Sequence, residues 1–350
     1  MSAEIRNEYE KLKSRLKDLY FDFEIREKAK LVSEINHLKR KKNAIILGHN
    51  YMEPALYYGV ADITGDSLML CQEAAKTSAK VIVFCGVRFM AETAKIVNPE
   101  RMVLLPSLKA GCSLAASLTA DDIRGLRSRF PGVPVVVYIN TYAEVKAEAD
   151  ICCTSSNAAH IIDSLRSDTV IFLPDEYLAR NVAKETGRHI IFPTVNTKNS
   201  EEGSSDSLLE KVIIGWHGRC EVHERFTVED IDRARLQFPD VLVLAHPECN
   251  PEVISEADFS GSTAAMIRYV KDTNAPRYLL LTECSMGDNI LAENPEKEIV
   301  RLCSVRCPHM NQITLEQTKK ALELGRYQIE VPEPIRERAK HAIHRMLQAV

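Results

Sequence analysis

Residues 44–48 read AIILG, residues 80–86 KVIVFCG and residues 102–106 MVLLP. Each run is continuously apolar rather than alternating, rich in β-branched residues, and followed by a polar or glycine-containing turn. That pattern predicts strands buried on both faces of a parallel sheet. Helix-forming stretches lie between the runs, so the local order is strand, helix, strand. The same three-run text returns twice, as PVVVYIN (134–140), TVIFLP (169–174) and HIIFP (189–193), then as VLVLAH (241–246), RYLLLTE (277–283) and EIVRLCS (298–304). The first runs are offset by 90 and 107 residues, the second by 89 and 108, and the third by 87 and 109. Three series that keep nearly one pair of offsets imply internal triplication. The expected fold is α/β: three similar small three-layer α/β/α modules with parallel sheets around a pseudo-threefold axis. The units are 1–115, 116–222 and 223–313, with 314–350 packing on the first.

The termini have a different texture. Residues 4–42 lack Gly and Pro and set Leu12, Leu16, Leu19, Tyr20 and Phe23 at helical spacing, which predicts one packing helix. In the tail, Thr314 with Gln317 resembles a capping box, Gly325 suits a helix C-terminus, and Pro334 can open a last helix through Leu347. Across all 350 residues, 45 basic side chains nearly balance 49 acidic ones, so there is no nucleic-acid footprint or polybasic membrane surface. No apolar run approaches the ~18–20 residues of a spanning helix, and the N-terminus lacks a secretory signal, so a cytoplasmic location is expected.

In open α/β sheets ligands bind beyond the carboxyl ends of the strands. The first series ends in His49, Asn50 and Tyr51, in Tyr138 and Asn140, and in His246 and Glu248, all able to hydrogen-bond or exchange protons. The small polar clusters TSSNA (154–158) and SGST (260–263) offer hydroxyls and N–H groups before helices, as carboxylates and phosphates require.

The chain has ten cysteines and no paired CxxC motifs, so a metal site must be assembled from distant segments. One cysteine after the last strand of each unit gives Cys112, Cys220, and either Cys303 or Cys307. Cys307 is preferred because it lies beyond the strand and precedes Pro308. Their offsets, 108 and 87, do not follow the strand offsets, because the middle unit carries the insert TKNSEEGSSDSLLE. Arg219 and Arg306 precede two of them, where a cation would favour thiolate. Three thiolates on a threefold axis suit a four-iron cluster with one open iron; zinc with three cysteines and a water, His223 or His309 is the competing centre. Cys71, Cys85, Cys152 and Cys153 read as buried apolar residues, with Cys249 and Cys284 less decided.

Ten segments in order, GHNY, GDSL, AGC, YINTYAEVKA, CTSSNA, LPDEYLA, GWHGRCEVHERF, HPEC, GST and RCPHM, together resemble the quinolinate synthase family over about residues 30–325. The resemblance implies condensation of iminoaspartate (iminosuccinate) with dihydroxyacetone phosphate to quinolinate, with loss of phosphate and two waters, as a step in NAD biosynthesis. It implies a [4Fe–4S] cluster on Cys112, Cys220 and Cys307, one iron acting as a Lewis acid. It implies substrate contacts from His49, Ser67, Tyr138, Ile139, Asn140, Ser155, His246, Pro247, Glu248, Ser262 and Thr263, with Met310 also at the active site. Catalytic roles fall on Glu248 as first choice of acid/base, with Tyr51 and His223 assisting. The expected partners are these small molecules, with possible transient supply by an aspartate-oxidising enzyme; no nucleic acid and no membrane are expected. Family members with CxxCxxC at the last ligand differ from this chain, whose Cys303 and Cys307 are separated by three residues, so a redox-switch disulfide is not carried over. The rival classes are an iron–sulfur hydro-lyase, which needs no phosphate site, and a cluster-bearing sensor, which needs a docking surface.

Overall fold

A computed structural model describes residues 2–193, 211–300 and 305–349. All nine apolar runs contain strands, and the described residues form three wholly parallel sheets. The first holds β1 (Ala44–His49), β2 (Ile63–Gly65), β3 (Val81–Cys85) and β4 (Met102–Leu104), in the order β2-β1-β3-β4. The second holds β5 (Val135–Tyr138), β6 (Ile151–Cys153), β7 (Thr169–Leu173), β8 (His189–Ile191) and β9 (Val212–Ile214), in the order β6-β5-β7-β9-β8. The third holds β10 (Leu242–Ala245), β11 (Phe259–Ser260), β12 (Arg277–Leu281) and β13 (Glu298–Val300), in the order β11-β10-β12-β13.

One feature of the triplication differs from expectation. The partner of β7 that corresponds to β4 and β13 is β9, not the run at 189–191; β8 lies one strand further out, paired to β9. The third-series strands therefore begin at 102, 212 and 298, with offsets of 110 and 86, close to the cysteine offsets of 108 and 87. The middle unit has an additional edge strand, and the cysteines keep register with the strands that pair, not with the apolar run that looked alike. The insert at 197–210 and Cys303 lie outside the described residues. The short strands β2, β6 and β11 were not foreseen. At two or three residues they are too brief to show as apolar runs.

Burial on both faces is explicit in the third sheet. Val243, Ala245, Leu279 and Leu281 join one apolar cluster with Val222, Phe226 and Ile231, whereas Leu244 and Tyr278 join another with Met266, Met286 and Ile290. A single larger core spans the first two sheets and the terminal helices.

The N-terminal segment is two helices, Ala3–Leu16 and Asp22–Lys42, rather than one. The corner is held by Asp22, which accepts from Tyr9 and from Lys13 Nζ (2.9 Å), while Glu24 accepts the Phe21 N–H (2.9 Å). At the other end, helix Leu315–Leu324 is N-capped by Thr314 and closed by Gly325 at φ +64°, and packs on helix Asp22–Lys42. Helix Glu333–Gln348 reaches beyond the first module. It lies against β6 and helix Ala143–Lys146 of the second, with Arg345 donating to the Asp150 carbonyl at 2.8 Å.

The repeat continues past each cysteine. Seven residues after Cys112, Cys220 and Cys307 stand Thr119, Thr227 and Thr314, each N-capping the helix that follows. Asp122 and Asp230 complete reciprocal boxes with Thr119 and Thr227. Thr227→Ala is expected to lower unfolding stability by about 1 kcal/mol, read as a shifted midpoint with unchanged slope in denaturant melts.

Candidate active site and metal centre

Strand pairing makes the threefold relation quantitative. Gly48 pairs with Cys85, Val137 with Leu173, and Ala245 with Leu281. One residue on, His49, Tyr138 and His246 are therefore equivalent strand ends. On the outer side Gly48 pairs with Thr64, Val137 with Cys152 and Ala245 with Ser260. Three residues beyond those partners come Ser67, Ser155 and Thr263, an equivalent ring of hydroxyls. All six side chains line one cavity together with Cys112, Cys220 and Cys307.

Tyr51, Ile139, Asn140, His223, Glu248 and Met310 also line it. Pro247 and Ser262 do not; they face an adjoining groove that shares Ser155. Ser262 instead caps helix Thr263–Asp272 and donates to Asp66 Oδ2 at 3.2 Å. The cavity holds ≈ 730 Å³ of empty space with its solvent-open mouth included.

At the centre lies Glu248, 2% exposed. Its Oε1 accepts from Tyr138 Oη (2.6 Å) and Asn140 Nδ2 (3.1 Å), and its Oε2 lies 2.8 Å from His223 Nδ1. Burial alone would raise the carboxyl pKa; His223, His246 and the Tyr138 hydroxyl outweigh it and hold the group well below the ordinary glutamate range. Burial pushes His49 down to about 4 and His246 down to about 3, so both rings are neutral at pH 7. Burial together with the Glu248 charge keeps the Tyr51 and Tyr138 hydroxyls protonated.

Thr282 was missed in the sequence. Its Oγ1 lies 2.6 Å from Tyr51 Oη and 3.0 Å from His223 Nε2. The available signal was a polar residue closing the run RYLLLTE.

The cysteines follow one local design. Cys112 Sγ accepts from the backbone N–H groups of Leu114 and Ala115, Cys220 from Val222 and His223, and Cys307 from His309 and Met310. Each sulfur thus faces the N–H groups two and three residues on. Burial nevertheless pushes the thiol of Cys112 up to about 12 and that of Cys307 up to about 11, and raises Cys220 well above the ordinary thiol range. The arginines before two of them do not help as expected. Arg219 pairs with Glu176 (3.1 Å) and Arg306 with Asp288 (3.3 Å), because those carboxylates sit on the neighbouring helices where the side chains extend. Three equivalent sulfurs, each with peptide donors, fit a thiolate-ligated iron–sulfur cluster, whose charge such donors stabilise. Cys220, His223 and Glu248 also bring ligand atoms within 4.8 Å of one another, the group nearest to a mixed-donor metal site. His309, the other zinc candidate, pairs with Glu221 at 3.0 Å. Cys71, Cys85, Cys152, Cys153 and Cys249 are buried.

The family described as Quinolinate synthetase A protein matches residues 33–348. The chain belongs to this family. Among relatives in the quinolinate synthase family, the chain is 53% identical over 316 residues to quinolinate synthase 2 of Mesorhizobium japonicum, covering 90% of each chain. It is 51% identical to quinolinate synthase of Agrobacterium fabrum over 317 residues, 91% of this chain and 85% of that one. To quinolinate synthase of Sinorhizobium medicae it is 47% identical over 343 residues, 98% of this chain and 89% of that one. Among the described residues no helix is long and apolar enough to cross a membrane.

Cys307→Ala is expected to abolish the iron and sulfide content of anaerobically purified protein, whereas Cys303→Ala leaves most of it. The reverse pattern would reassign the third ligand.

Proposed function

We propose that this chain is a transferase-type quinolinate synthase, condensing iminoaspartate with dihydroxyacetone phosphate to quinolinate with release of phosphate and two waters. We further assign Cys112, Cys220 and Cys307 as ligands of a [4Fe–4S] cluster. The observation that carries the reading is the convergence of three cysteines, three strand-end donors and three hydroxyls on one cavity. The family membership supports it independently. When bound, the cluster supplies a Lewis-acidic iron with an open position, suited to departure of a hydroxyl.

The residues of the chain account for the rest. Ser67 and Thr263 open helices Ser67–Lys76 and Thr263–Asp272, so a phosphate or carboxylate there meets both hydroxyls and helix N-termini. His49 and His246 are neutral and add hydrogen-bonding capacity without charge. Glu248 begins the cycle ionised, so it first accepts a proton, while Tyr51 begins with one to give.

Water must be kept from iminoaspartate, whose imine hydrolyses readily, and one seam is suited to opening and closing. Beside the apolar contacts of Met310 and Ile313, the third module meets the others through hydrogen bonds: Asn50 Nδ2 to Thr263 Oγ1 (2.9 Å), Tyr58 Oη to the Asn289 carbonyl (2.6 Å), and Asn181 Nδ2 to the Pro247 carbonyl (2.9 Å). Polar contacts of this kind suit relative motion better than a shared apolar core does. We assign closure to movement across this seam, bringing Tyr51 over the cavity, with the chain dividing at 115/116 and 222/223. The same reading takes the enzyme as cytoplasmic, fed by an aspartate-oxidising partner.

Anaerobic protein with iron and sulfide bound is expected to release phosphate only when both substrates are present. Absence of release would refute the assignment. Glu248→Gln is expected to retain iron and sulfide and to lose turnover by about 10²–10⁴-fold, measured in the same assay.

A further inference from the structure

We propose that Glu176 is a positioning residue: it clamps the loop that carries Cys220 and holds that sulfur in place before any metal arrives. The inference rests on the assignment of Cys220 as a ligand above and deepens it.

Two observations carry it. The first is a threefold pattern in the backbone. The helices that follow β3, β7 and β12 begin at Arg88, Glu176 and Cys284. The N–H of each first residue donates to the carbonyl two residues before a cavity cysteine: Arg88 to Ala110 (2.7 Å), Glu176 to Gly218 (2.8 Å) and Cys284 to Val305 (3.2 Å). Each cysteine loop is thus hung on the first turn of the helix beside it. In the second module the bond is returned, with the Gly218 N–H donating to the Pro174 carbonyl at 3.0 Å. Only glycine allows that approach, since a Cβ at Gly218 would come within 2.6 Å of the Pro174 oxygen.

The second observation is what the side chain at that helix start does. Glu176 is 3% exposed. Its Oε2 accepts from His217 Nδ1 (3.0 Å) and from Arg219 Nη2 (3.1 Å), the two residues that flank Gly218. Its Oε1 accepts from Arg180 Nη2 of its own helix at 2.8 Å, which fixes the carboxylate from the other side. Aromatic faces support the two loop donors: the His217 ring stacks on Phe192 at 4.7 Å, and the Arg219 guanidinium lies over Tyr177 at 4.8 Å. Glu176 has no equivalent carboxylate at the other two helix starts. Arg88 turns to Glu92 of its own helix (2.7 Å), and Cys284 offers no carboxylate to Arg306, which reaches Asp288 one turn further on. The fold therefore does not require an acid at this position. A buried carboxylate is costly unless paired, and the loop partners of this one stand three residues and one residue before Cys220. From β9 to Cys220 the chain is loop, tied by a single bridge between Asp175 and Gly218, so the clamp limits where the sulfur can go.

The test reads Cys220 in the chain freed of iron, by the rate at which iodoacetamide alkylates each cysteine, located by peptide mass. Glu176→Ala is expected to raise the Cys220 rate relative to Cys112 by about threefold or more, the scale of a partly exposed ion-pair network. Adding His217→Ala and Arg219→Ala to it should make little further difference, because the clamp is already open. Arg88→Ala, at the equivalent helix start, should leave the Cys112 rate unchanged. In anaerobic protein with iron and sulfide bound, Glu176→Ala should lose iron to a chelator about threefold faster. An unchanged ratio of Cys220 to Cys112, additive effects in the combined variant, or an equal effect of Arg88→Ala on Cys112 would each overturn the proposal. So would unchanged iron loss in protein whose iron depends on Cys220. General loosening of the fold would raise both thiols together and leave the ratio where it was. If Glu176→Ala fails to fold, His217→Ala with Arg219→Ala, both at exposed positions, decides by the same ratio. Full iron and sulfide in Cys220→Ala would refute the ligand assignment instead, and the alkylation ratio would still decide the clamp.

Discussion

A carboxylate buried as deeply as Glu248 would be destabilising if left alone, because its solvation is lost and nothing replaces it. It is retained because donors arrive from elsewhere in the chain. Tyr138 and Asn140 come from the end of β5 in the second module, and His223 from the loop that follows Cys220. Glu248 itself stands at the end of β10 in the third. The modules must therefore meet in one relative orientation for the charge to be satisfied. That orientation brings together the three sulfurs, the three strand ends and the hydroxyl ring.

The same constraint orders the electrostatics. Burial and the fixed negative charge of Glu248 both favour protonated neighbours, which is why Tyr51 and Tyr138 keep their hydroxyl protons. It does not suffice to charge His49 and His246, where burial wins. The site is consequently rich in hydroxyl and amide donors, with Asp66 and Glu221 as further carboxylates in its lining. The sulfurs are the exception. Burial favours their thiol forms, and paired peptide N–H groups at each one oppose it.

The packing is not uniform across the three sheets. The first two sheets and the terminal helices share one apolar core, which also takes in Met310 and Ile313, whereas the third sheet packs into separate clusters. Hydrogen bonds such as Asn289 Nδ2 to the Asn50 and Met52 carbonyls (3.1 and 2.9 Å) bridge to it. Hydrogen bonds can be exchanged for water at little net cost, and apolar surface cannot. Tyr51 reaches across that seam to Thr282, so opening of the seam would change its partners.

The repeat, the parallel sheets and most cavity residues were legible in the amino-acid order alone. Strands buried on both faces must be continuously apolar, and triplication makes functional positions recur at fixed offsets. That logic singled out Cys112, Cys220 and Cys307, which line one cavity, even though the strand used to count them in the middle unit was the wrong one. What the order could not reveal were the features set by pairing in space: that β9 rather than β8 adjoins β7, that the N-terminal helix turns at Asp22, that Arg219 and Arg306 reach carboxylates instead of sulfurs. Thr282 belongs with these. A threonine closing an apolar run has no distinguishing sequence pattern, and its hydrogen-bond partners lie 231 and 59 residues away in the chain, brought within reach by the packing of separate modules. Periodicity is a property of the linear chain and survives in it; the partner of a buried hydroxyl is decided only when distant segments share one volume.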